Sequence, residues 1–301
     1  MKYRVAVVEC NNYQPEEIGN AINTIFQLLD FTFDENKIKQ ILIKPNLLKD
    51  SQPEQAITTH PAIIERLIHK LKQKNMDIKV GDSPGFGLAV EKVAEAAGIR
   101  EICNRLSVPI VDLGKGKTFE FDTGTKVGCL PMSQYVDQSQ IISVPKVKTS
   151  RGVLLTCGVK NMFGCIAGES KSLLHQYGRD VDTFYTTLNN ICNRARPVLT
   201  IADGITIMEG NGPDEGTPRH LGLMFAGTDP YAVDWVVSWA LGLNPKAVGT
   251  IRFHRDSTLE GFEDIEIVGV SPESFPRIHP ELPKLLSARL QRWCSPRMEN
   301  N

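Results

Sequence analysis

The sequence predicts an α/β fold: a mostly parallel sheet with helices on both faces and an inserted small lobe around 113–139. Two observations carry this expectation. Short apolar runs rich in Val and Ile alternate with stretches of helical periodicity, the pattern of βαβ units. Gly, Pro, Asp and Asn then fall after the strands, in the loops where open parallel sheets carry their sites.

The elements follow in order. Val5–Val8 is a first strand, and its short apolar run leads straight into folded sequence, unlike a signal peptide. From Pro15 to Leu29, Ile18, Ala21, Ile22, Ile25 and Leu29 recur at helical spacing. Ile41–Lys44 is the next strand and Pro61–Lys74 the next helix, with Ile63, Ile64, Leu67, Ile68 and Leu71 on one face. Ile78–Val80 runs into a Gly-Pro turn over 81–87, followed by a helix over Leu88–Ala97. Val108–Val111 and Gln140–Val144 complete this series, on either side of the Gly- and Thr-rich lobe. The second half reads as helix 181–194, strand 198–202, strand 221–226, helix 230–241 and strand Ile265–Val268. Residues 283–301 read as a surface helix and tail on what is otherwise one unit over 1–301.

Composition removes whole classes of function. The chain has 301 residues, 34 Lys plus Arg against 35 Asp plus Glu, and a net charge of −1. It has no bulk field for nucleic acid or an anionic membrane, so any anion site must be built locally. At 41% hydrophobic and 23% charged it is no disordered chain. The most apolar stretch, 221–243, is interrupted by Asp229, Pro230 and Asp234, so no spanning helix is expected and the expected location is the cytoplasm. Seven scattered cysteines without a Cys-x-x-Cys pair are neither a disulfide framework nor a ferredoxin cassette. Gly-x-Gly-x-x-Gly, Walker A, Gly-x-Ser-x-Gly and His-Glu-x-x-His are all missing, so nucleotide, serine-hydrolase and zincin readings have no support.

Six segments carry polar chemistry. Lys44 and Asn46 stand at the carboxyl mouth of a strand, on either side of Pro45. Thr59 is placed to cap a helix that opens with Pro61, which leaves His60 as a neutral imidazole at a helix N-terminus. Asp82 and Ser83 lie in a Gly-Pro turn, Asp82 either as a ligand or base or as an Asx-turn residue. The richest segment is 143–175, where Lys146, Lys148, Lys160 and Lys171 are threaded through Gly and Thr, with Asn161, Glu169 and His175. Lysines held against an apolar wall bind carboxylate or phosphate, or give up protons near neutrality. Asp203 and Glu209 could meet a hard cation or answer the lysines. Asp229 is a helix cap, and Asp234 requires a partner if it is buried.

Taken in order, these residues resemble the domain-of-unknown-function family numbered 362. The match runs from about 40 to 235: Lys44-Pro45-Asn46-Leu47, Thr59-His60-Pro61, Gly81-Asp82-Ser83-Pro84-Gly85, Val144-Pro145-Lys146-x-Lys148-Thr149, Val159-Lys160-Asn161-x-Phe163-Gly164, Lys171, His175, Asp203-Gly204, Met208-Glu209-Gly210-x-Gly212-Pro213 and Asp229-x-x-Ala232-x-Asp234. That family is linked to iron–sulfur proteins through an appended ferredoxin segment. On that resemblance Cys157 and Cys165, with Cys129, would be the cluster ligands, or a separate ferredoxin the partner. Cys157 stands where the family pattern more often has Gly, and Ser150 where it often has His. The motif order is also similar, more faintly, to the nickel-pincer lactate racemases. That likeness would put Lys171 and His175 at a cofactor, with Lys146 replacing a metal-binding His.

Three functions are therefore expected in competition. The first is an enzyme of the isomerase or oxidoreductase class acting on a small anionic metabolite. In it Lys44, Asn46, Asp82, Ser83, Lys146, Lys148 and Asn161 bind, while Lys160, Lys171, His175 and His60 do chemistry. Its cofactor is open: a metal ion held by Asp203 and Glu209, or an iron–sulfur cluster. The second is a redox accessory protein working with a ferredoxin, and the third a non-catalytic anion or cofactor binder.

Overall fold

The two central strands beside the site are buried on both faces, the mark of a sheet covered by helices. Within Gln40–Pro45 all residues but the first are buried, and Gln140–Val144 is buried throughout. The computed structural model describes residues 2–34, 38–74, 76–85, 87–168, 170–177, 180–254 and 259–284, the side chain of His175 excepted. The proposed tail over 283–301 thus lies, from 285 on, outside the described residues.

The first half contains β1 (Tyr3–Glu9), α1 (Pro15–Leu28), β2 (Gln40–Pro45), α2 (Pro61–Lys72), β3 (Asp77–Asp82), α3 (Val90–Ala96), α4 (Ile99–Arg105) and β4 (Ile110–Asp112). An antiparallel hairpin of β5 (Thr118–Asp122) and β6 (Cys129–Ser133) forms the inserted lobe, followed by α5 (Tyr135–Gln138). Then come β7 (Gln140–Val144), β8 (Lys146–Ser150), β9 (Leu154–Thr156), α6 (Gly158–Asn161), α7 (Ser170–Gln176) and α8 (Val181–Ala195). The chain continues with β10 (Leu199–Asn211), β11 (Glu215–Gly227), α9 (Pro230–Ala240), α10 (Gly249–Arg252) and β12 (Ile265–Gly269).

The main sheet has the order β12-β1-β11-β10-β7-β2-β3-β4, with β8 beside β10 and β9 beside β8. Along that order only β11 runs against its neighbours, so the sheet is mostly parallel as expected. One apolar cluster packs α1 to α4 on one face through Ile22, Ile64, Val93 and Ile99. A second packs α8 and α9 on the other through Phe184, Leu188, Tyr231 and Val236. Proline opens both α1 and α2, where the missing N–H costs nothing.

Strand order places the site. From β2 the chain moves to β3 and β4, whereas from β7 it moves the other way to β10, and β2 and β7 are neighbours. Loops leaving the carboxyl ends of β2 and β7 diverge at this switch point and open a crevice.

Three elements differ from expectation. The helix foreseen over Leu88–Ala97 begins at Val90, and a further helix, α4, follows Gly98, whose φ of 71° breaks the turn. The strands expected over 198–202 and 221–226 are longer: β10 continues to Asn211 and pairs with a β11 that starts at Glu215. A register shift between Gly204 and Thr206 lets the strand bend there while Ile205 and Ile207 stay buried. Lys146–Ser150 is itself strand β8, paired with β10 at Asp203 and Met208.

Candidate functional site

The crevice is a cavity of about 540 Å³. The β2 and β3 loops form one side through Asn46, Leu47, Leu48, Asp82, Ser83 and Gly85; β8 and β9 form another through Lys148, Ser150, Arg151 and Val153. Lys160, Asn161, Phe163 and Lys171 come from α6, its following turn and α7, and Phe184 from α8. Of the residues singled out from sequence, the fold brings Asn46, Asp82, Ser83, Lys148, Lys160, Asn161 and Lys171 to this cavity.

Three of the lysines there make no ion pair among the described residues, and each is held differently. Lys148 Nζ donates to Asn46 Oδ1 (2.8 Å) and to the Ile57 carbonyl (2.7 Å). Lys171 Nζ donates to the carbonyls of Ser83 and Pro84. Lys160 Nζ sits over the Phe163 ring, 4.2 Å from its centroid. Burial disfavours the ammonium form in all three. It pushes Lys148 down to about 7, helped by Lys146 and Lys160. Lys160 goes down to about 7, helped by Lys171 and Lys44, and Lys171 to about 8, with Asp82 opposing the shift.

Beneath the cavity floor Lys44 is fully buried and paired with Asp82 at 2.7 Å. The carboxylate also accepts from the amides of Leu47 (2.7 Å) and Ser83 (2.8 Å), so Asp82 knits the β2 and β3 loops together. Asn161 completes the knot: its Nδ2 donates to the Lys44 carbonyl and to Ser143 Oγ, and its Oδ1 accepts from Lys44 Nζ. Gly164 is required here, because a Cβ would stand 2.0 Å from Asp82 Oδ1 and 2.6 Å from Lys44 Nζ. Gly164→Ala is expected to cost roughly 1–3 kcal/mol, the range for overpacking, in a urea titration. An unchanged midpoint would mean the pair is loosely held.

Lys146, Asp203 and His60 form a separate buried network. Lys146 Nζ donates to Asp203 Oδ2 (2.9 Å) and Tyr13 Oη (2.9 Å), and Tyr13 Oη donates to Asp203 Oδ1 (2.9 Å). Asp203 Oδ2 also accepts from the His60 amide at 3.1 Å. The His60 ring stacks on Tyr13, centroids 3.5 Å apart, and its Nδ1 accepts from the Ala62 amide as cap of α2. Burial, with Lys146 nearby, pushes the imidazole down to about 4 against the opposing Asp203, so it is neutral, as a helix N-terminus favours. Thr59 is not the cap: its hydroxyl donates to the Val144 carbonyl and accepts from the Asn46 amide, tying the β7 and β2 loops.

Tyr13 escaped the sequence reading. Its signal was position, since Asn11-Asn12-Tyr13 follows β1 at the same carboxyl edge as β2 and β7. Arg151, at the cavity rim and paired with Asp214 and Glu215, was missed because it belongs to an unrecognised β8–β9 turn.

Among the described residues metal ligation finds no seat. Asp203 is enclosed in its network, and Glu209 pairs with Arg219 at 2.9 Å and accepts from the Glu281 amide. Cys157 and Cys165 are buried in the apolar core, where burial raises both thiols, Cys165 to about 11. Iron is ligated by thiolates, which such a site disfavours. Among the described residues no three His, Cys, Asp or Glu side chains are grouped to hold a metal ion, so they do not fit a metal or iron–sulfur centre. Lys171 and His175 are both on α7, but the His175 side chain lies outside the described residues.

Asp229 caps α9 through the Ala232 amide (2.7 Å). Asp234, buried, finds its partners in the amides of Gly158 (2.6 Å) and Val159 (3.2 Å) and so seats α6, the helix that carries Lys160.

Fold and cavity together define an α/β protein with a polar crevice at the switch point of its sheet. The chain belongs to the family described as a domain of unknown function, DUF362, which it matches over residues 41–239. That span contains every cavity lysine and both buried ion pairs. It is also similar to the thylakoid-associated protein sll1697 of Synechocystis sp. (strain ATCC 27184 / PCC 6803 / Kazusa), 32% identical over 246 residues that cover 80% of this chain and 73% of the relative. Among the described residues no helix is long and apolar enough to cross a membrane.

Proposed function

We propose that the cavity binds a small carboxylate or phosphate metabolite and that the protein is an enzyme acting on it. One observation carries the reading: Lys148, Lys160 and Lys171 converge on a single cavity without a carboxylate partner among the described residues. Other lysines buried in this fold, Lys44 and Lys146, are neutralised by Asp82 and Asp203. Keeping unpaired ammonium groups out of water is costly, and a bound anion relieves that cost. Lysines poised between about 7 and 8 can both hold an anion and exchange a proton at neutral pH, which suits catalysis better than simple binding.

Calorimetric titration with succinate and with inorganic phosphate tests the reading, followed by a turnover screen of small acids. Saturable binding, lost in Lys160→Met, is the expected result. Stabilisation on binding should follow mass action, about 2.7 kcal/mol at a hundredfold excess over Kd. Failure of both anions to bind would overturn the anion site; binding without turnover across the screen would leave a binder. We also propose a cytoplasmic location, although the similar protein is named for the thylakoid; recovery of this chain in the membrane fraction would reverse that.

A further inference from the structure

We propose that Lys160 is an imine-forming nucleophile and that the cavity accepts a 2-oxo carboxylate. This rests on the anion-site reading and extends it to a bond.

The argument begins with what each amine touches. Lys44 and Lys146 are bound to carboxylates, Lys148 to an amide oxygen and a carbonyl, and Lys171 to two carbonyls. Lys160 Nζ alone of these five has no hydrogen-bond acceptor among the described residues, only the face of Phe163. A carbonyl carbon can therefore approach its lone pair without breaking an existing bond. Among the residues lining the cavity, Phe163, Phe184, Val153, Leu47 and Leu48 are apolar and limit the water that would reverse an imine.

Charge completes the assignment. Burial and the neighbouring Lys171 and Lys44 cations favour a neutral amine, the device that activates a lysine toward carbonyls. Lys171, higher at about 8 and lining the same cavity, remains largely protonated at neutral pH. It is suited to hold a carboxylate next to the reacting carbonyl. An amine seeking a carbonyl beside a cation seeking a carboxylate describes a 2-oxo acid.

The step balances without an oxidant or reductant. Nζ attacks the carbonyl carbon, the C=O π pair moves to oxygen, and that oxygen takes a proton as nitrogen gives one up. Loss of water from the carbinolamine then leaves the C=N bond. The protonated imine draws electrons from the adjacent carbon, easing removal of a proton there.

Incubating the full chain with pyruvate, and separately with 2-oxoglutarate, in sodium cyanoborohydride at neutral pH tests the step. Intact mass and peptide mapping read the result. One reduced adduct per chain, on Lys160, is expected with one of the two acids. It should form roughly a thousandfold faster per site than adducts on surface lysines, from the difference in neutral fraction. Lys160→Arg and Lys160→Met should both lose the adduct while surface lysines label as in wild type. Adducts scattered over surface lysines, or seated on Lys171 or Lys148, would overturn the imine assignment. If succinate still binds in that event the anion site stands, whereas loss of both signals removes the underlying reading as well.

Discussion

Asp203→Ala is expected to destabilise the protein by about 3–5 kcal/mol, the range for breaking a buried ion pair from one side. The carboxylate is fully buried and serves Lys146, Tyr13 and the His60 amide at once. Its removal strands an ammonium in the core and two further donors with it. Burial already disfavours the charged form of Lys146, and Asp203 is the largest influence opposing that. The double variant Asp203→Leu with Lys146→Met should be far less damaged than the sum of its parts, because neither charge is then left alone. Chemical denaturation of wild type, Asp203→Ala, Asp203→Leu, Lys146→Met and the double variant measures this. Strict additivity, or an Asp203→Ala protein of undiminished stability that has lost succinate binding, would show that Asp203 serves the cavity and not the fold.

Lys160→Met is expected to do the reverse: stabilise the chain while removing function. Met fills the space of the lysine stem against Phe163 and needs no solvation. The lost cation–π contact offsets part of the gain. A net gain of about 1 kcal/mol is expected at neutral pH, roughly 2 °C in melting temperature for a chain of this size. The sign follows from proton linkage. Lys160 in the folded protein is pushed down to about 7 from the ordinary 10.5, so between those values the unfolded chain binds more protons. The group's cost is therefore full below about pH 7 and fades as pH rises toward 10.5. Wild type should gain stability relative to Lys160→Met over that interval in scanning calorimetry. A variant less stable than wild type at neutral pH would mean the ammonium has a partner that holds it.

Much of this architecture is legible because the apolar periodicities are unambiguous. Ile41-Leu42-Ile43 and Ile141-Ile142 can only be interior strands, and Ile63, Ile64, Leu67, Ile68 and Leu71 mark one face of a helix. Strands β8 and the outer half of β10 were opaque because Lys, Thr, Ser and Gly mask their alternation; tertiary pairing overrides weak propensity there. The lysine cluster could be seen in the chain, but its division into paired and unpaired members could not. That division depends on contacts such as Lys146 with Asp203, 57 residues apart, and Asp203 with Tyr13, 190 apart. His60 is an acceptor at a helix start, its imidazole occupied by Ala62 and Tyr13, and is not among the residues lining the cavity.

The central claim is that unpaired lysines, Lys148 and Lys171 buried and Lys160 half-buried, form an anion site, and its pH dependence is the most direct test. Succinate, dianionic throughout, is titrated into the wild-type protein at about pH 6.5 and about pH 9 at constant ionic strength. With Lys148 and Lys160 near 7 and Lys171 near 8, affinity should fall at least roughly tenfold across that interval. An affinity unchanged between the two conditions, as ordinary surface lysines would give, contradicts the account, and so does no binding at the lower pH.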